Sequence, residues 1–172
     1  MLLDFIATVS AGLGLAGLAL ILRSLLRGRA PSWLVPAAAG LGMLGFAIWN
    51  EYTWFSRTAA TLPPGVIVAR TVESRAPWRP WTYLRPIVTR FIAVDTRAPR
   101  TAPEALGQGI VPVLFVARWQ GTESVPVLFD CPGARRLPLT GEAPIPSPGD
   151  PSTPWEQVSP DDEVLRAACT AL

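Results

Sequence analysis

Two apolar stretches near the start of the chain decide the fold: Phe5 to Leu22 reads FIATVSAGLGLAGLALIL, and Ala30 to Asn50 reads APSWLVPAAAGLGMLGFAIWN. They hold 18 and 21 consecutive uncharged residues, and a helix needs about 20 apolar residues to cross the ~30 Å hydrocarbon core of a bilayer. Neither stretch carries the polar stripe of a core helix in a soluble protein. The sequence therefore predicts a transmembrane hairpin over residues 1–56, with helices at about 3–26 and 32–56.

The connection between these helices, at about 23–31, predicts their orientation. It carries Arg23, Arg27 and Arg29, and the positive-inside rule assigns such a short basic loop to the cytoplasm. The chain after residue 57 then lies on the outer side, which in a bacterium is the periplasm. A cleavable signal peptide fits less well, since no basic residue precedes Arg23, and a pair of soluble core helices remains the other alternative.

Small residues recur at helical spacing in both predicted helices. In lipid there is little hydrophobic drive to pair helices, so close approach through small side chains matters. We expect these stripes to mediate helix packing, either within the hairpin or against a partner's helix. The candidate packing positions are Gly12, Ala16 and Ala19 in the first helix and Ala38, Gly42 and Gly45 in the second.

Residues 57–139 are predicted to form a small antiparallel β-rich domain. Of the 19 prolines in the chain, 17 follow residue 60, which disfavours long helices there. Strands are expected at 66–73, 86–95 and 135–139 from their β-branched, alternating composition. The sequence VPVLF occurs at 111–115 and again at 125–129; with a Gly-containing turn between the copies and a proline near the start of each, the pair predicts a β-hairpin.

The end of the chain divides into a linker and a short helix. Residues 140–154 hold five prolines among Gly, Ser and Asp, a composition that predicts an extended or disordered linker. In the segment 155–172, Ser159 is the expected N-cap and Pro160 the first residue of a helix that includes 163–171. A helix this short needs to dock on the sheet to persist.

Cys131 and Cys169 are the only two cysteines. In an oxidising compartment they are expected to pair and to tie the terminal helix back across the linker. Two unpaired thiols are the alternative, and Cys131 as a nucleophile, activated by neighbouring arginines, is a third interpretation. That third interpretation lacks a base, because the chain has no histidine.

Composition argues against most enzyme classes. The 15 basic residues are all arginine, and neither lysine nor histidine occurs, which removes Schiff-base chemistry, Walker-type phosphate loops, the usual general base and the commonest metal ligand. The net charge of +2 is too small to imply a nucleic-acid partner. We therefore predict no catalytic residue, no metal site and no cofactor. The sequence does not place any two of Asp95, Glu104 and Asp130 together. A carboxylate-only hydrolase stays the third functional hypothesis, because paired Asp and Glu side chains can carry out hydrolysis without histidine.

The segment 78–85 (WRPWTYLR) concentrates the residue types that dominate binding hot spots. Its candidate binding residues are Arg79, Trp81 and Tyr83, and the pair Arg135 and Arg136 is the other cationic candidate. The segment could equally rest on a membrane interface or cover a sheet edge, and the arginine pair could be a solvated strand end.

The sequence as a whole predicts an α+β membrane protein, in which a two-helix transmembrane hairpin precedes a β-rich extramembrane domain and a short C-terminal helix. We expect a non-enzymatic accessory or assembly protein of the bacterial inner membrane, with the C-terminal domain in the periplasm. Its expected partners are the lipid bilayer and another membrane protein or a second copy. The alternative function is a binding module for an envelope ligand, either a lipid headgroup or a glycan.

Overall fold

A computed structural model divides the chain into two compact units, residues 1–54 and 55–172. The first unit contains a pair of helices, and the second contains an antiparallel sheet with two short helices. The structure describes residues 2–27, 29–97, 99–101, 107–139 and 153–172. Glu104 and residues 140–152 of the predicted linker lie outside the described residues.

The helix pair consists of α1 (Leu2–Leu25) and α2 (Leu34–Ala60). Small residues bring the two backbones together: a Cβ added to Gly12 would lie 3.2 Å from the carbonyl oxygen of Ala39, and one added to Gly42 would lie 2.8 Å from that of Ala11. Both glycines are buried. The antiparallel helix pair expected from the sequence is thus present, and its contact uses glycine at both sides.

A polar bond also joins the two helices. The side-chain amide of Asn50 donates to Oδ1 of Asp4 over 3.0 Å, and Asn50 is buried at 7% exposure. Thr8 donates its hydroxyl to the carbonyl of Asp4 over 2.7 Å. The amide of Asn50, which would be costly to bury alone, therefore has its partner on the opposite helix.

Among the described helices, α1 is the one that is long and apolar enough to span a membrane. The expectation of two membrane spans is not supported, because α2 covers only part of the second apolar stretch and then continues into polar residues. The stretch begins at Ala30, but α2 begins at Leu34, and Asn50 and Glu51 interrupt its apolar part after 16 residues. A single apolar helix near the N-terminus is a feature that signal sequences and core helices share.

The second unit is built on one antiparallel sheet that curves as a half-barrel. Its main path has the order β1-β2-β4-β5-β6-β7, with β3 paired to β4 beside β2. The short helix α3 (Trp81–Leu84) lies in the connection between β1 and β2. The strands are β1 (Val66–Ser74), β2 (Ile87–Asp95), β3 (Arg100–Thr101), β4 (Gln108–Ala117), β5 (Glu123–Asp130), β6 (Arg135–Pro138) and β7 (Glu156–Gln157).

The repeated VPVLF motif forms the central hairpin, in which Pro112 of β4 pairs directly with Pro126 of β5. The strands extend beyond the motif, so the prolines are interior and not near the strand starts as the sequence suggested. Each is nevertheless tolerated, because its missing N–H falls where the pairing with the outer neighbouring strand is interrupted or ends. Pro112 lies between the β4 residues that pair with β2 and with β3, and Pro126 lies one residue beyond the last β5–β6 pair.

The C-terminal helix α4 (Glu163–Cys169) covers one half of one sheet face. Val164, Leu165 and Ala168 are 3%, 4% and 0% exposed and pack on a cluster of buried β-strand side chains. The members of that cluster are Val94, Val111, Val113, Val127 and Phe129. Docking of this helix on the sheet, predicted from its short length, is confirmed.

The N-cap of α4 differs from the prediction. Asp162 caps the helix, and its Oδ1 accepts the backbone N–H groups of Val164 and Leu165 at 3.0 Å each. Ser159 instead lies in the preceding turn, where its hydroxyl accepts from the backbone N–H of Asp161 over 3.3 Å. A carboxylate at the N-cap accepts hydrogen bonds from two backbone N–H groups that have no partner within the helix, and its negative charge interacts favourably with the helix dipole. Both effects favour Asp162 over Ser159 as the N-cap.

The opposite face of the sheet is also buried. Phe91 and Ala93 of β2 are 1% and 0% exposed. The ring of Phe91 meets the ring of Phe55, which belongs to the last turns of α2, in an edge-to-face contact with centroids 5.4 Å apart. Each face of the sheet is therefore covered over part of its area.

Candidate functional site

Cys131 and Cys169 lie at disulfide-bonding distance, with their Cα atoms 5.9 Å apart. Cys131 follows β5 directly, and Cys169 is the last residue of α4. The bond joins positions 38 residues apart and fastens α4 to the end of the central hairpin. This arrangement gives Cys131 a structural position rather than that of a free nucleophile.

Arg135 is engaged by two neighbours on its own side of the sheet. Its Nε donates to Oδ2 of Asp130 over 2.5 Å, and its guanidinium carbon lies 4.6 Å from the ring centroid of Trp155. Asp130 is 3% exposed and also accepts the backbone N–H of Gly133 over 3.3 Å. Because a buried carboxylate requires such a partner, Arg135 acts here as a structural counter-ion.

Arg136 forms a two-pronged ion pair with Glu156. Its Nε and Nη2 atoms each donate to a carboxylate oxygen over 3.0 Å, and the two residues face each other in the β6–β7 pairing. The hydrogen bond from Arg136 lowers the pKa of Glu156 below its ordinary value of 4.5, and the same bond raises the pKa of Arg136. Both arginines predicted as a cationic binding pair therefore form ion pairs with carboxylates of the same chain.

The Trp- and Arg-rich segment folds into a compact protrusion around Thr82. The Thr82 hydroxyl accepts the backbone N–H of Ala76 over 3.0 Å and donates to the carbonyl of Arg79 over 2.8 Å. Thr82 is 1% exposed, and a β-bridge pairs Ala76 with Arg79. The sequence placed no regular structure here, because a buried threonine that organises its own loop has no periodic signature.

The large hydrophobic side chains that this protrusion exposes are Trp78, Tyr83 and Leu84, at 75%, 58% and 92% exposure. Arg79 and Trp81 are partly buried, so two of the three candidate binding residues expose only part of their surface to solvent. The apolar surface that the protrusion presents to solvent therefore centres on Trp78 and Leu84, which the sequence did not single out.

A groove runs along the half of the sheet face that α4 leaves uncovered. Its floor contains Ile92 and Phe115, which pair with each other across β2 and β4, and Phe115 is 42% exposed. Two adjoining cavities, of about 330 and 390 Å³, share these two residues and Arg70. Each cavity falls near the lower end of the size range of ligand pockets, roughly 300–1,000 Å³.

Charged residues stand along the edges of the groove. Arg70 and Arg90 are exposed on neighbouring strands, and within the part of the chain that the structure describes neither forms an ion pair or hydrogen bond with a side chain. Glu123 stands on the far wall, opposite Phe115. Sequence reasoning missed this site because Arg70 and Arg90 are 20 positions apart and only the sheet register brings them together.

Asp95 and Asp130, the two described carboxylates among those considered for hydrolysis, both form ion pairs. Asp95 forms a two-pronged ion pair with Arg97, at 2.8 and 2.6 Å, and the hydrogen bond from Arg97 lowers the pKa of Asp95 below 3.8. Asp130 is paired with Arg135. Within the described ranges, no three residues of the His, Cys, Asp and Glu types are grouped as metal ligands.

Comparison of the chain with protein-family models, with curated proteins and with solved structures gave no match.

Proposed function

We propose that this protein is a membrane-anchored, non-enzymatic accessory or assembly protein of a bacterial inner-membrane complex. Its N-terminal helices would dock in the bilayer, and its C-terminal domain would contact a partner on the periplasmic side. The partner is another membrane protein or a second copy of this chain. The observation that carries the proposal is the protrusion of residues 76–85, which holds Trp78 and Leu84 out in solvent.

The construction of this protrusion supports a binding role. Large apolar side chains exposed together cost solubility, and such patches commonly mark interaction sites. The hydrogen bonds of Thr82 fix the backbone of the loop before any partner arrives, so binding would cost less conformational entropy than ordering a free loop. Tryptophan is also enriched among the residues that dominate binding energy.

Anchoring in the membrane is supported by the surface of α1. Leu3, Leu13 and Leu25 are 81%, 67% and 75% exposed, an apolar surface that a bilayer would cover. The arginines at 23, 27 and 29 favour a cytoplasmic connection between the helices, and a disulfide is favoured by an oxidising compartment such as the periplasm. A reporter that is active only in the periplasm, fused after Leu172, should be active; activity of a cytoplasmic reporter there would contradict the orientation.

The partner is tested by purification in mild detergent followed by mass spectrometry. A stoichiometric membrane protein, or a defined oligomer of this chain, should co-purify with the wild type. It should be lost from the double variant Trp78→Ala/Leu84→Ala and retained by Ile67→Ala, which removes a 46% exposed side chain of β1. A monomer without a protein partner, or equal retention by all three proteins, would contradict the proposal.

A further inference from the structure

The groove on the sheet face has an apolar end and a cationic end. At the apolar end, the cavity of about 330 Å³ is lined by Val113, Val125, Val127, Phe129 and Val164. Two of the three charged residues that line this cavity are satisfied internally, because Arg136 is paired with Glu156 and Asp162 caps α4; the third, Arg70, is shared with the adjoining cavity. An apolar chain could therefore lie here without displacing a charge from its partner.

The cationic end is the adjoining cavity of about 390 Å³, which Arg70, Arg90 and Glu123 border. In the β1–β2 register Arg70 faces Ile92, and Val72 faces Arg90, so the two arginines are diagonal neighbours on one sheet face. Diagonal neighbours lie roughly 7–8 Å apart, with their Cβ atoms somewhat closer, a span that two guanidinium groups can close around one anion. Glu123 lies three strands away from Arg70 along the row that passes through Ile92 and Phe115.

The other carboxylates near Arg70 belong to the start of α4, and one of them, Asp162, also lines the apolar end of the groove. Asp161, Asp162 and Glu163 line a separate polar cavity with Arg70 at the start of α4, and none of them lies within ion-pair distance of it in the described chain. They make the side toward α4 unfavourable for an anion. An anionic group is consequently better placed between Arg70 and Arg90 than between Arg70 and α4.

We propose that this groove binds an amphiphile with one anionic head, a carboxylate or a phosphate, and an alkyl chain. The head lies between Arg70 and Arg90, whose guanidinium groups match the geometry of both anions. The chain runs over Ile92 and Phe115 toward Val127. From Ile92 on β2 through Phe115 on β4 to Val127 on β5, which all line this cavity, the path crosses two inter-strand spacings, about 10 Å at roughly 4.8 Å each.

Calorimetric titration of the full chain in phosphatidylcholine nanodiscs tests this inference, with empty nanodiscs as the reference for partition into lipid. Decanoate and decyl phosphate should bind saturably at one site, decanol at least about tenfold more weakly, a factor equivalent to roughly 1.4 kcal/mol, and decylamine most weakly. Octanoate should bind less tightly than decanoate by about fourfold for each methylene removed. If the groove takes fatty acids, palmitate should bind more tightly than lysophosphatidate. If it takes lipid phosphates, lysophosphatidate should bind more tightly than palmitate.

Variants locate the site. Arg70→Gln and Arg90→Gln should each weaken decanoate binding about tenfold, whereas Arg100→Gln, an exposed arginine of β3 outside the groove, should leave it unchanged. Phe115→Asp, at a half-exposed position that tolerates a polar side chain, should abolish binding while the thermal midpoint and the disulfide are retained. The variant Trp78→Ala/Leu84→Ala should bind decanoate like the wild type, so failure of the partner hypothesis is distinguishable from failure of this one.

Three results would overturn the inference: heats equal to those of empty nanodiscs, equal affinity for decylamine and decanoate, or unchanged affinity in the double variant Arg70→Gln/Arg90→Gln. A second copy of the chain or an apolar peptide segment as the occupant would give the first of these results.

Discussion

Removal of the disulfide by the double substitution Cys131→Ala/Cys169→Ala should lower the free energy of unfolding of the C-terminal domain by about 4 kcal/mol. The figure follows from the 38-residue separation of the two cysteines, because a cross-link restricts the unfolded chain more as the loop it closes becomes longer. For a domain whose total stability is on the order of 5–15 kcal/mol, this is a large fraction.

The folded state of the variant should lose order mainly in α4. This helix has seven residues, far fewer than an isolated helix needs to persist in water. In the reduced protein, non-covalent contacts alone would hold it in place, chiefly the packing of Val164, Leu165 and Ala168 on the sheet. We therefore expect faster amide hydrogen exchange in Glu163–Cys169 than in β4 and β5.

Urea unfolding followed by tryptophan fluorescence, in the same detergent micelles for all proteins, measures the change. Each single variant and the wild type treated with reductant should match the double variant, because all of them lack the same covalent bond. A loss below about 1 kcal/mol, or single variants that differ strongly from the double variant, would refute the loop-closure reasoning. Unchanged hydrogen exchange in α4 would refute the local part of the prediction.

Three further changes test the packing and the ion pairs. Gly42→Leu should destabilise the helix pair by about 1–3 kcal/mol, seen as a lower melting temperature in detergent, because its side chain meets the backbone of Ala11; Gly45→Leu should have little effect, since a Cβ there meets nothing within 4 Å. Asp130→Asn should cost about 2–3 kcal/mol in urea unfolding, because it leaves the half-buried Arg135 without its counter-ion. The pKa of Glu156 is lowered in the folded state by the hydrogen bond from Arg136, so this pair stabilises the fold above about pH 4.5 and its contribution is lost as the pH falls through the lowered pKa. Glu156→Gln should therefore reduce the acid sensitivity of stability, by less than about 1 kcal/mol because the carboxylate is exposed.

The central hairpin could be predicted from sequence because its signal is local. Two copies of VPVLF flank a turn, and the observed register pairs Val111 with Val127 and Val113 with Val125. The short terminal helix was predictable for the same reason, since its acidic start and apolar side lie within ten residues. The pairing of Cys131 with Cys169 could be predicted because the sequence contains two cysteines.

The paired arginines were not predictable, because the sequence does not show which carboxylate faces which guanidinium. Arg135 lies next to Arg136 in sequence, yet one pairs with Asp130 and the other with Glu156, on different strands. Strand β7, which supplies Glu156, has two residues and leaves no periodic pattern. The position of Gly45 was also not predictable: on α2 the contact with α1 follows Ala39, Gly42 and Asn50, and a Cβ added to Gly45 meets nothing within 4 Å. Packing of Gly45 against a partner's helix stays a prediction.

The composition of β4 gives an independent reason to expect an occupant in the groove. Residues 110–116 are apolar without interruption, a pattern typical of strands covered on both faces. Val116 is buried on one face at 6% exposure, and Val111 and Val113 are buried under α4 on the other at 0% and 2%. Phe115 is the exception: it lies on the α4 side of the strand, beyond the reach of a helix of seven residues, and is 42% exposed. The apolar face of the sheet is thus longer than the helix that covers it, and the uncovered remainder lies beside two arginines without internal partners in the described chain. The alkyl chain of an amphiphile would cover the exposed apolar part of the sheet, and its anionic head would neutralise the two arginines.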